Sequence, residues 1–289
     1  MKLLCPAKIN LTLEVLARQP DGYHAIRSVM VPLGIYDEIH VEEARDFSFA
    51  CSEAALENDD NLVVRAARAV APDARLRIRL EKRIPSQAGL GGGSSDAAAV
   101  LRAAMAGAFR VAPFFDWIGT ARSLGSDVPF FLAGTAALVE NTGERVTAAG
   151  ALPAWHVLIV TPPAQMSTAA AYAALDARPL RSRPRNASSS LAALTALQRG
   201  DFERVQALLN NDFQETIAAA APPVARALDA LRAAGATNAL LCGSGSAVFT
   251  LAPDASTIAG LAHRLNLPEE YRRFEAPFAR TPNWRGGTA

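Results

Sequence analysis

The strongest chemical signal in this sequence of 289 residues is a glycine-rich segment that spans residues 84–96. It follows a predicted strand and opens a predicted helix. Glycines let backbone N–H groups approach an anion closely, and a helix N-terminus adds unpaired N–H donors and a positive dipole end. Two serines add hydroxyl groups for a phosphate or a metal ion, so the segment predicts a phosphate-binding loop. The residues assigned to this loop are Pro85, Ser86, Gln87, Ala88, Gly89, Leu90, Gly91, Gly92, Gly93, Ser94 and Ser95.

Two common phosphate-binding templates fit this segment poorly. A Walker A loop requires a lysine that the segment lacks, and a Rossmann loop requires a third glycine where Ser94 stands. A nicotinamide-dependent Rossmann enzyme would therefore rest on partial glycine spacing alone. The structural alternative is a flexible glycine loop before a helix that Ser95 or Asp96 caps.

Asp127 is the candidate for the group that orients or deprotonates an acceptor hydroxyl, a task that phosphoryl transfer to an alcohol requires. It follows a predicted helix stop at Gly125 and precedes the apolar run 128–131, and apolar surroundings would strengthen its attraction to a nearby cation. The same position also fits the cap of a short helix that contains Pro129. Lys8, between apolar residues of a predicted strand, fits a solvated surface lysine equally well.

Three motifs together resemble the GHMP kinases, the superfamily of galactokinase, homoserine kinase, mevalonate kinase and phosphomevalonate kinase. The glycine-rich segment resembles their phosphate loop, residues 6–11 (PAKINL) their N-terminal motif, and residues 241–247 (LCGSGSA) their C-terminal glycine motif. The motifs occur in the right order over nearly the whole chain. Residues 21–24 (DGYH) and 125–131 (GSDVPFF) resemble more specifically the branch whose substrate carries a cytidine diphosphate.

The resemblance implies an α+β fold of two GHMP kinase domains, a ribosomal S5 domain 2-like N-terminal domain and a ferredoxin-like C-terminal domain. We expect these domains to comprise residues 1–150 and 151–289. The implied reaction is ATP-dependent phosphorylation of the 2-hydroxyl of 4-diphosphocytidyl-2-C-methyl-D-erythritol to the 2-phosphate, in non-mevalonate isoprenoid precursor biosynthesis. Two alternatives stay open: another GHMP small-molecule kinase, of the mevalonate or homoserine type, and a catalytically inactive ligand-binding relative.

The resemblance also implies roles for individual residues. Lys8 and Asp127 would be catalytic, with the lysine keeping the aspartate ionised and favouring the developing alkoxide. Asn61 and Lys82 would lie near the nucleotide, and Ser95 would offer a hydroxyl to Mg²⁺, which transfer from ATP normally requires. The residues implied to bind the substrate are Asn10, Tyr23, His24, Thr168 and Tyr172. The residues implied to face the phosphate loop from the second domain are Gly243, Ser244 and Gly245.

Several of these residues also have a purely structural explanation. Asn61 fits a helix cap, Tyr23 a turn aromatic and Tyr172 a core residue on a helix. The glycine motif at 243–246 fits a simple hairpin connection between two strands. These explanations are compatible with the functional ones.

The elements that must position these residues follow from periodicity and turn signals. Strands are predicted at 3–15, 25–33, 35–43, 75–81 and 156–160, and on both sides of the glycine motif at 243–246. Helices are predicted at 62–70, after Ser94-Ser95-Asp96, and at 116–124, 191–199, 201–217 and 222–235. The polar segment 178–190 is predicted to be an exposed loop.

The composition argues against several other classes of protein. Half of the residues are apolar, 20% are charged and the net charge is +1, so the chain is globular and lacks the basic excess of a nucleic-acid binder. Three distant cysteines predict neither disulfides nor a zinc site and favour a cytoplasmic location. The sequence has no apolar run long enough for a membrane span, and we expect no signal peptide because its first apolar stretch is too short. We expect a monomer or homodimer that acts on a small molecule.

Overall fold

The computed structural model describes residues 1–20, 22, 24–73, 75–109, 111, 114–177 and 188–279. Its two longest strands, β1 (Lys2–Arg18) and β2 (His24–Glu43), form an antiparallel hairpin. The prediction of two separate strands at 25–33 and 35–43 was wrong. The register shifts opposite Pro6 and Ala7, and this bulge absorbs Gly34 without ending the ladder with β1.

This hairpin is the centre of a seven-stranded sheet. The other strands are β3 (Ser48–Cys51), β4 (Leu76–Glu81), β5 (Ala137–Asn141), β6 (Arg145–Ala148) and β8 (Asn210–Asn211). The main order is β3-β4-β2-β1-β8, with β5 paired to β2 and β6 to β5. Along β4, Leu76, Ile78 and Leu80 are buried and alternate with exposed arginines, which confirms the predicted half-buried strand.

The described residues of this part of the chain form the helices α1 (Leu62–Val70), α2 (Gly92–Met105), α3 (Trp117–Leu124) and α4 (Val128–Ala133). A short 3₁₀ turn, Ala54–Leu56, precedes α1. Ile39 and Ile78 of the sheet share one hydrophobic core with Val63 of α1 and Leu101 of α2. This packing fixes α2, and with it the glycine-rich segment that leads into α2, against the sheet.

A second sheet has four strands in the order β11-β7-β10-β9. They are β7 (His156–Thr161), β9 (Leu240–Leu241), β10 (Val248–Ala252) and β11 (Arg272–Pro277). The helices of this half are α5 (Thr168–Asp176), α6 (Ser189–Arg199), α7 (Phe202–Leu208), α8 (Gln214–Ala220), α9 (Pro222–Ala233) and α10 (Ala255–Arg264). The predicted strand–glycine–strand arrangement around residues 243–246 is the antiparallel pair β9–β10.

The two sheets share a hydrophobic core. It contains Ile9 and Val31 of the first sheet, Val157 and Phe249 of the second, and Leu197 of α6. One mixed sheet and one antiparallel sheet, both packed with helices, confirm the expected α+β class. The shared core also keeps the two halves of the chain in contact beside the glycine-rich segment.

The predicted helix at 201–217 was wrong in its middle. Asp201 caps α7 as expected, but Asn210 and Asn211 form β8, which pairs in parallel with Thr12 and Leu13 of β1. Asparagine favours turns and caps over helix interiors, and the sheet supplies these residues with backbone partners. The loop predicted at 178–190 lies mostly outside the described residues. Within the described part of the chain, every helix is too short or too polar to cross a bilayer.

Candidate active site

A cleft of about 730 Å³, within the usual range of small-molecule sites, opens between the glycine-rich segment and the second half of the chain. Most of the residues that the sequence singled out line it. These are Lys8, Asn10, Asn61, Lys82, Pro85, Ser86, Gln87, Ala88, Gly89, Leu90, Gly91, Gly92, Gly93, Ser94, Asp127, Thr168, Tyr172, Gly243, Ser244 and Gly245. His24 contacts one of these residues from outside, Ser95 faces elsewhere, and Tyr23 lies outside the described residues.

The glycine-rich segment has the backbone of an anion-binding loop. Gln87, Gly89 and Gly91 have φ values of 55°, 79° and 72°, so alternate residues are left-handed. Such alternation turns successive N–H groups toward one point and forms a concave anion site. Helix α2 begins at Gly92, with Gly91 at the N-cap, so the prediction that Ser95 or Asp96 caps it was wrong.

The second glycine motif touches this loop directly. The backbone N–H of Ala247 donates to the carbonyl of Ala88 at 3.1 Å. A Cβ on Gly89 would stand only 2.1 Å from the carbonyl oxygen of Cys242, so only glycine fits there. The hairpin between β9 and β10 therefore connects two strands and also forms a wall of the cleft. Its explanation as a strand connection and its explanation as a motif facing the phosphate loop are compatible.

Lys8 is buried, so its alternative as a solvated surface residue was wrong. The side chain is 4% exposed, and Nζ donates to Asn10 Oδ1 at 2.8 Å and lies 3.5 Å from Asp127 Oδ2. Its backbone N–H donates to the carbonyl of Leu90, which joins β1 to the phosphate loop. The amide of Asn10 in turn donates to Ser28 Oγ at 2.7 Å. The ammonium group is therefore held on the cleft wall by an oriented amide.

Asp127 occupies the N-cap position of α4, but its side chain does not accept the capping hydrogen bond. The carboxylate is 24% exposed and faces the cleft beside Lys8. Asp127 is therefore the N-cap residue of α4 by its backbone position, as one prediction had it, but its side chain does not cap the helix. The carboxylate is available to accept a hydrogen bond from a bound hydroxyl.

Lys82 lies between two carboxylates that the sequence did not connect with it. Its Nζ is 2.5 Å from Asp37 Oδ2 and 2.9 Å from Asp96 Oδ2, and all three side chains are at most 3% exposed. Burial lowers the pKa of Lys82, but the charges of Asp96 and Asp37 outweigh this effect and hold the pKa above its usual value. The ammonium therefore stays charged, and both of its carboxylate partners come from residues distant in sequence.

The structure places Ser95, the serine proposed for the metal, away from the cleft. Ser95 is 1% exposed, its Oγ has no hydrogen-bond partner among the described residues, and it borders a small cavity beside Phe131. Ser94 lines the cleft instead. Because consecutive helical residues project about 100° apart, the earlier start of α2 places Ser94 on the cleft side.

Aromatic residues form the other end of the cleft. Tyr172 of α5 packs edge-on against Phe213, with ring centroids 4.9 Å apart, and the ring of His24 stacks on Tyr172 at 5.3 Å. Burial, together with the charge of Asp127, raises the pKa of Tyr172 to about 12. His24 Nε2 lies 2.9 Å from Asp176 Oδ1, an ion-pair distance without hydrogen-bond geometry. Tyr172 is thus both a core residue and part of the cleft.

Two polar residues connect other elements of the second half of the chain to the glycine motif. Thr168 Oγ1 lies 3.2 Å from Ser244 Oγ, and the amide of Asn211 donates to the carbonyls of Leu241 and Gly243 at 2.8 Å each. The sequence did not assign Asn211 to the site. A pair of asparagines in the middle of a predicted helix was the available signal.

Asn61 has both functions that the sequence considered. Its Oδ1 accepts from the N–H of Val63 and caps α1, and its amide donates to the carbonyl of Leu56. The residue also lines the cleft near the phosphate loop. The capping bonds orient the side chain at the cleft wall.

The fold and this cleft are those of a small-molecule kinase of the GHMP class. Residues 61–135 match the GHMP kinases N terminal domain, and residues 193–268 match the GHMP kinases C terminal family. Among solved structures, a homoserine kinase from Cytophaga hutchinsonii has a TM-score of 0.67 at 14% identity, covering 96% of this chain and 94% of its own, which shows a shared fold.

More similar relatives define the family further. The chain is 43% identical over 258 residues to the 4-diphosphocytidyl-2-C-methyl-D-erythritol kinase of Solidesulfovibrio magneticus, covering 85% of this chain and 86% of that protein. It is 39% identical to the enzyme of the same name from Symbiobacterium thermophilum, covering 92% and 95%. A crystal structure of 4-(cytidine 5'-diphospho)-2C-methyl-D-erythritol kinase has a TM-score of 0.80 and 33% identity, covering 97% of this chain and all of its own. The chain belongs to the 4-diphosphocytidyl-2-C-methyl-D-erythritol kinase family.

Proposed function

We propose that this protein transfers the γ-phosphate of ATP to the 2-hydroxyl of 4-diphosphocytidyl-2-C-methyl-D-erythritol, giving the 2-phosphate and ADP. One observation carries the mechanism: the Lys8–Asp127 pair lies in one cleft with the phosphate loop. The identity to relatives of that name supports the choice of substrate. As a kinase of this family, the protein uses ATP as its co-substrate.

The phosphate loop binds the ATP phosphates in this mechanism. The left-handed residues of the loop and the start of α2 present backbone N–H groups to the anion, and the helix dipole adds positive potential. The packing of Gly89 against the carbonyl of Cys242 holds the loop in this conformation. Asn61 and Lys82 lie beside the loop on the nucleotide side of the cleft.

Asp127 orients the acceptor hydroxyl and receives its proton as the oxygen attacks the γ-phosphorus. The bond between the γ-phosphorus and the β–γ bridging oxygen breaks, and ADP leaves with the electron pair. Lys8 stabilises the negative charge that develops on the attacking oxygen and the transferred phosphoryl group. Asn10 fixes the ammonium through its 2.8 Å hydrogen bond.

The residues present fit Mg²⁺ as an ion shared with ATP. The Ser94 hydroxyl and the Asp127 carboxylate are oxygen donors on the same cleft, and the described residues contain no cluster of three acidic, histidine or cysteine ligands. Mg²⁺ typically keeps several waters and binds through one or two protein oxygens plus substrate phosphates. We assign Ser94, in place of Ser95, to this ion, which would neutralise phosphate charge when bound.

The aromatic end of the cleft binds the cytidine of the substrate. Tyr172 lines this end of the cleft, and stacking on one aromatic ring is worth about 1–3 kcal/mol per base. His24 and Thr168 supply polar groups near that ring, and Tyr23 is assigned here from its motif.

We also propose that the chain forms two domains, residues 1–150 and 151–289. The change of sheet between β6 and β7 supports this boundary.

The test of this function is a panel of acceptor alcohols. Purified protein with Mg-ATP should release ADP with 4-diphosphocytidyl-2-C-methyl-D-erythritol and not with mevalonate or homoserine. Free CDP should inhibit that turnover by competing with the acceptor and not with ATP. Turnover with mevalonate or homoserine, without inhibition by CDP, would contradict the assigned substrate.

A further inference from the structure

Beneath the phosphate loop lies a buried ionic cluster of Asp37, Lys82 and Asp96. Asp37 is fully buried on β2, Asp96 is in the second turn of α2, and Lys82 bridges their carboxylates. The buried thiol of Cys5 on β1 lies close to Asp96. The mechanism above assigns no task to either aspartate.

The cluster holds both ends of the phosphate loop. At the start of the loop, Asp37 Oδ1 accepts from the backbone N–H groups of Arg83 and Ile84 at 2.5 and 2.8 Å. At its end, Asp96 ties α2 to Lys82. A Cβ on Gly92 would stand 3.1 Å from Lys82 Nζ and 3.2 Å from Asp37 Oδ2, so the first residue of the helix rests directly on the cluster.

The charges of the cluster are unequal, with two carboxylates and one ammonium. Asp37 accepts three N–H donors, from Lys82 Nζ and from the backbone of Arg83 and Ile84. Asp96 accepts from Lys82 through Oδ2, and its Oδ1 has no hydrogen-bond partner among the described residues. The groups close to Asp96 are Lys82, Asp37 and Cys5.

We propose that Asp37 and Asp96 are positioning residues for ATP, which act through Lys82 and the adjoining backbone to fix the phosphate loop in its binding conformation. This inference rests on the proposed function of the loop as the ATP site. Neither aspartate needs to touch the nucleotide. The cluster fixes the spacing between the last residues before the loop and the first turn of α2, and the backbone N–H groups between them depend on that spacing.

The test compares direct ATP binding with direct acceptor binding in folded variants. Asp96→Ala deletes the tie from α2 and should weaken ATP binding about tenfold or more, since hydrogen bonds to charged groups are the costly ones to lose. Binding of 4-diphosphocytidyl-2-C-methyl-D-erythritol should change by no more than about twofold. Asp96→Asn keeps an acceptor for Lys82 and should restore ATP binding to near the wild-type value. Folded Asp37→Asn should also weaken ATP binding, and ATP affinity within about twofold of wild type would contradict the role of Asp37.

The matched control is Glu14→Gln. The Glu14 carboxylate is also partly buried and caps α6 through Ser188 and Ser189, away from the loop. This variant should leave ATP affinity unchanged, and thermal unfolding identifies which variants are folded. The proposal is overturned if folded Asp96→Ala binds ATP within about twofold of wild type, or loses ATP and acceptor affinity equally. Because binding is measured without turnover, a wrong acceptor assignment would appear as no acceptor binding by wild type while the effect on ATP stands.

Discussion

The ammonium of Lys8 lies 3.5 Å from the carboxylate of Asp127 but only 2.8 Å from the amide oxygen of Asn10. Its closest bond is therefore to a neutral partner that fixes its position. The longer contact is beyond the 2.7–2.9 Å typical of a charge-assisted hydrogen bond. The positive charge of Lys8 thus attracts the Asp127 carboxylate, while the carboxylate oxygens remain available to the acceptor hydroxyl.

Replacing Lys8 with methionine should lower kcat by about 10²–10³-fold, as expected when a group that stabilises developing charge is removed. The methionine retains the packing of the lysine stem against Gly91. The measurement is steady-state ADP release. Lys2→Met is the control, since Lys2 is half exposed and pairs with Glu38 at the surface, and it should keep wild-type activity.

A methyl group on Gly89 should disrupt the contact between the phosphate loop and the glycine motif. Gly89→Ala combines a left-handed φ of 79° with a collision against the Cys242 carbonyl, and we expect a loss of about 3 kcal/mol or more in the free energy of unfolding. Gly150→Ala is the matched control, because Gly150 has a φ of 90° with open space around it, and it should lose only about 1–2 kcal/mol. Equal losses in chemical denaturation would contradict the close approach.

The raised pKa of Asp96 predicts a specific pH dependence of stability. An acid whose pKa is raised on folding contributes stability that is present below its unfolded pKa near 4 and is lost as pH rises through about 7. Between pH 6 and 8 this loss should be about 1 kcal/mol in wild type. Asp96→Asn should remove that part of the pH dependence. If chemical denaturation showed the same change in the free energy of unfolding between pH 6 and 8 for both proteins, the prediction would be contradicted.

The face of Tyr172 should matter for the acceptor and its hydroxyl should not. Tyr172→Ala should raise the KM for 4-diphosphocytidyl-2-C-methyl-D-erythritol about tenfold, as the loss of one stacking face predicts, without changing the KM for ATP. Tyr172→Phe keeps the ring against Phe213 and should stay near wild type. If Tyr172→Ala left the acceptor KM unchanged, the aromatic end of the cleft would not bind the base.

The parts of the fold that sequence patterns predicted are those with strong local signals. The alternation of β4, the capped helix α1 and the hairpin around 243–246 depend on neighbouring residues and are confirmed. The strand at Asn210–Asn211 could not be predicted, because its partners on β1 are about 200 residues away. The continuity of β2 past Gly34 likewise depends on pairing with β1.

The candidate site likewise contains residues that short motifs identify and residues that only the fold brings together. Short motifs identified Lys8, Asp127 and the loop residues that line the cleft. The partners of Lys82 come from separate elements with no common motif, so the sequence did not connect them. The choice between Ser94 and Ser95 depends on where α2 begins. An error of a few residues in the predicted helix start changes which of the two serines is expected to face the cleft.

The central claim is that Asp127 receives or orients the acceptor proton. The most direct measurement is ADP release by wild type and Asp127→Asn with Mg-ATP and 4-diphosphocytidyl-2-C-methyl-D-erythritol, together with the affinity of each protein for that acceptor. We predict turnover by wild type and a fall of about 10²–10⁴-fold in the variant, with acceptor affinity retained within a few-fold. Turnover by Asp127→Asn close to the wild-type rate would contradict the account.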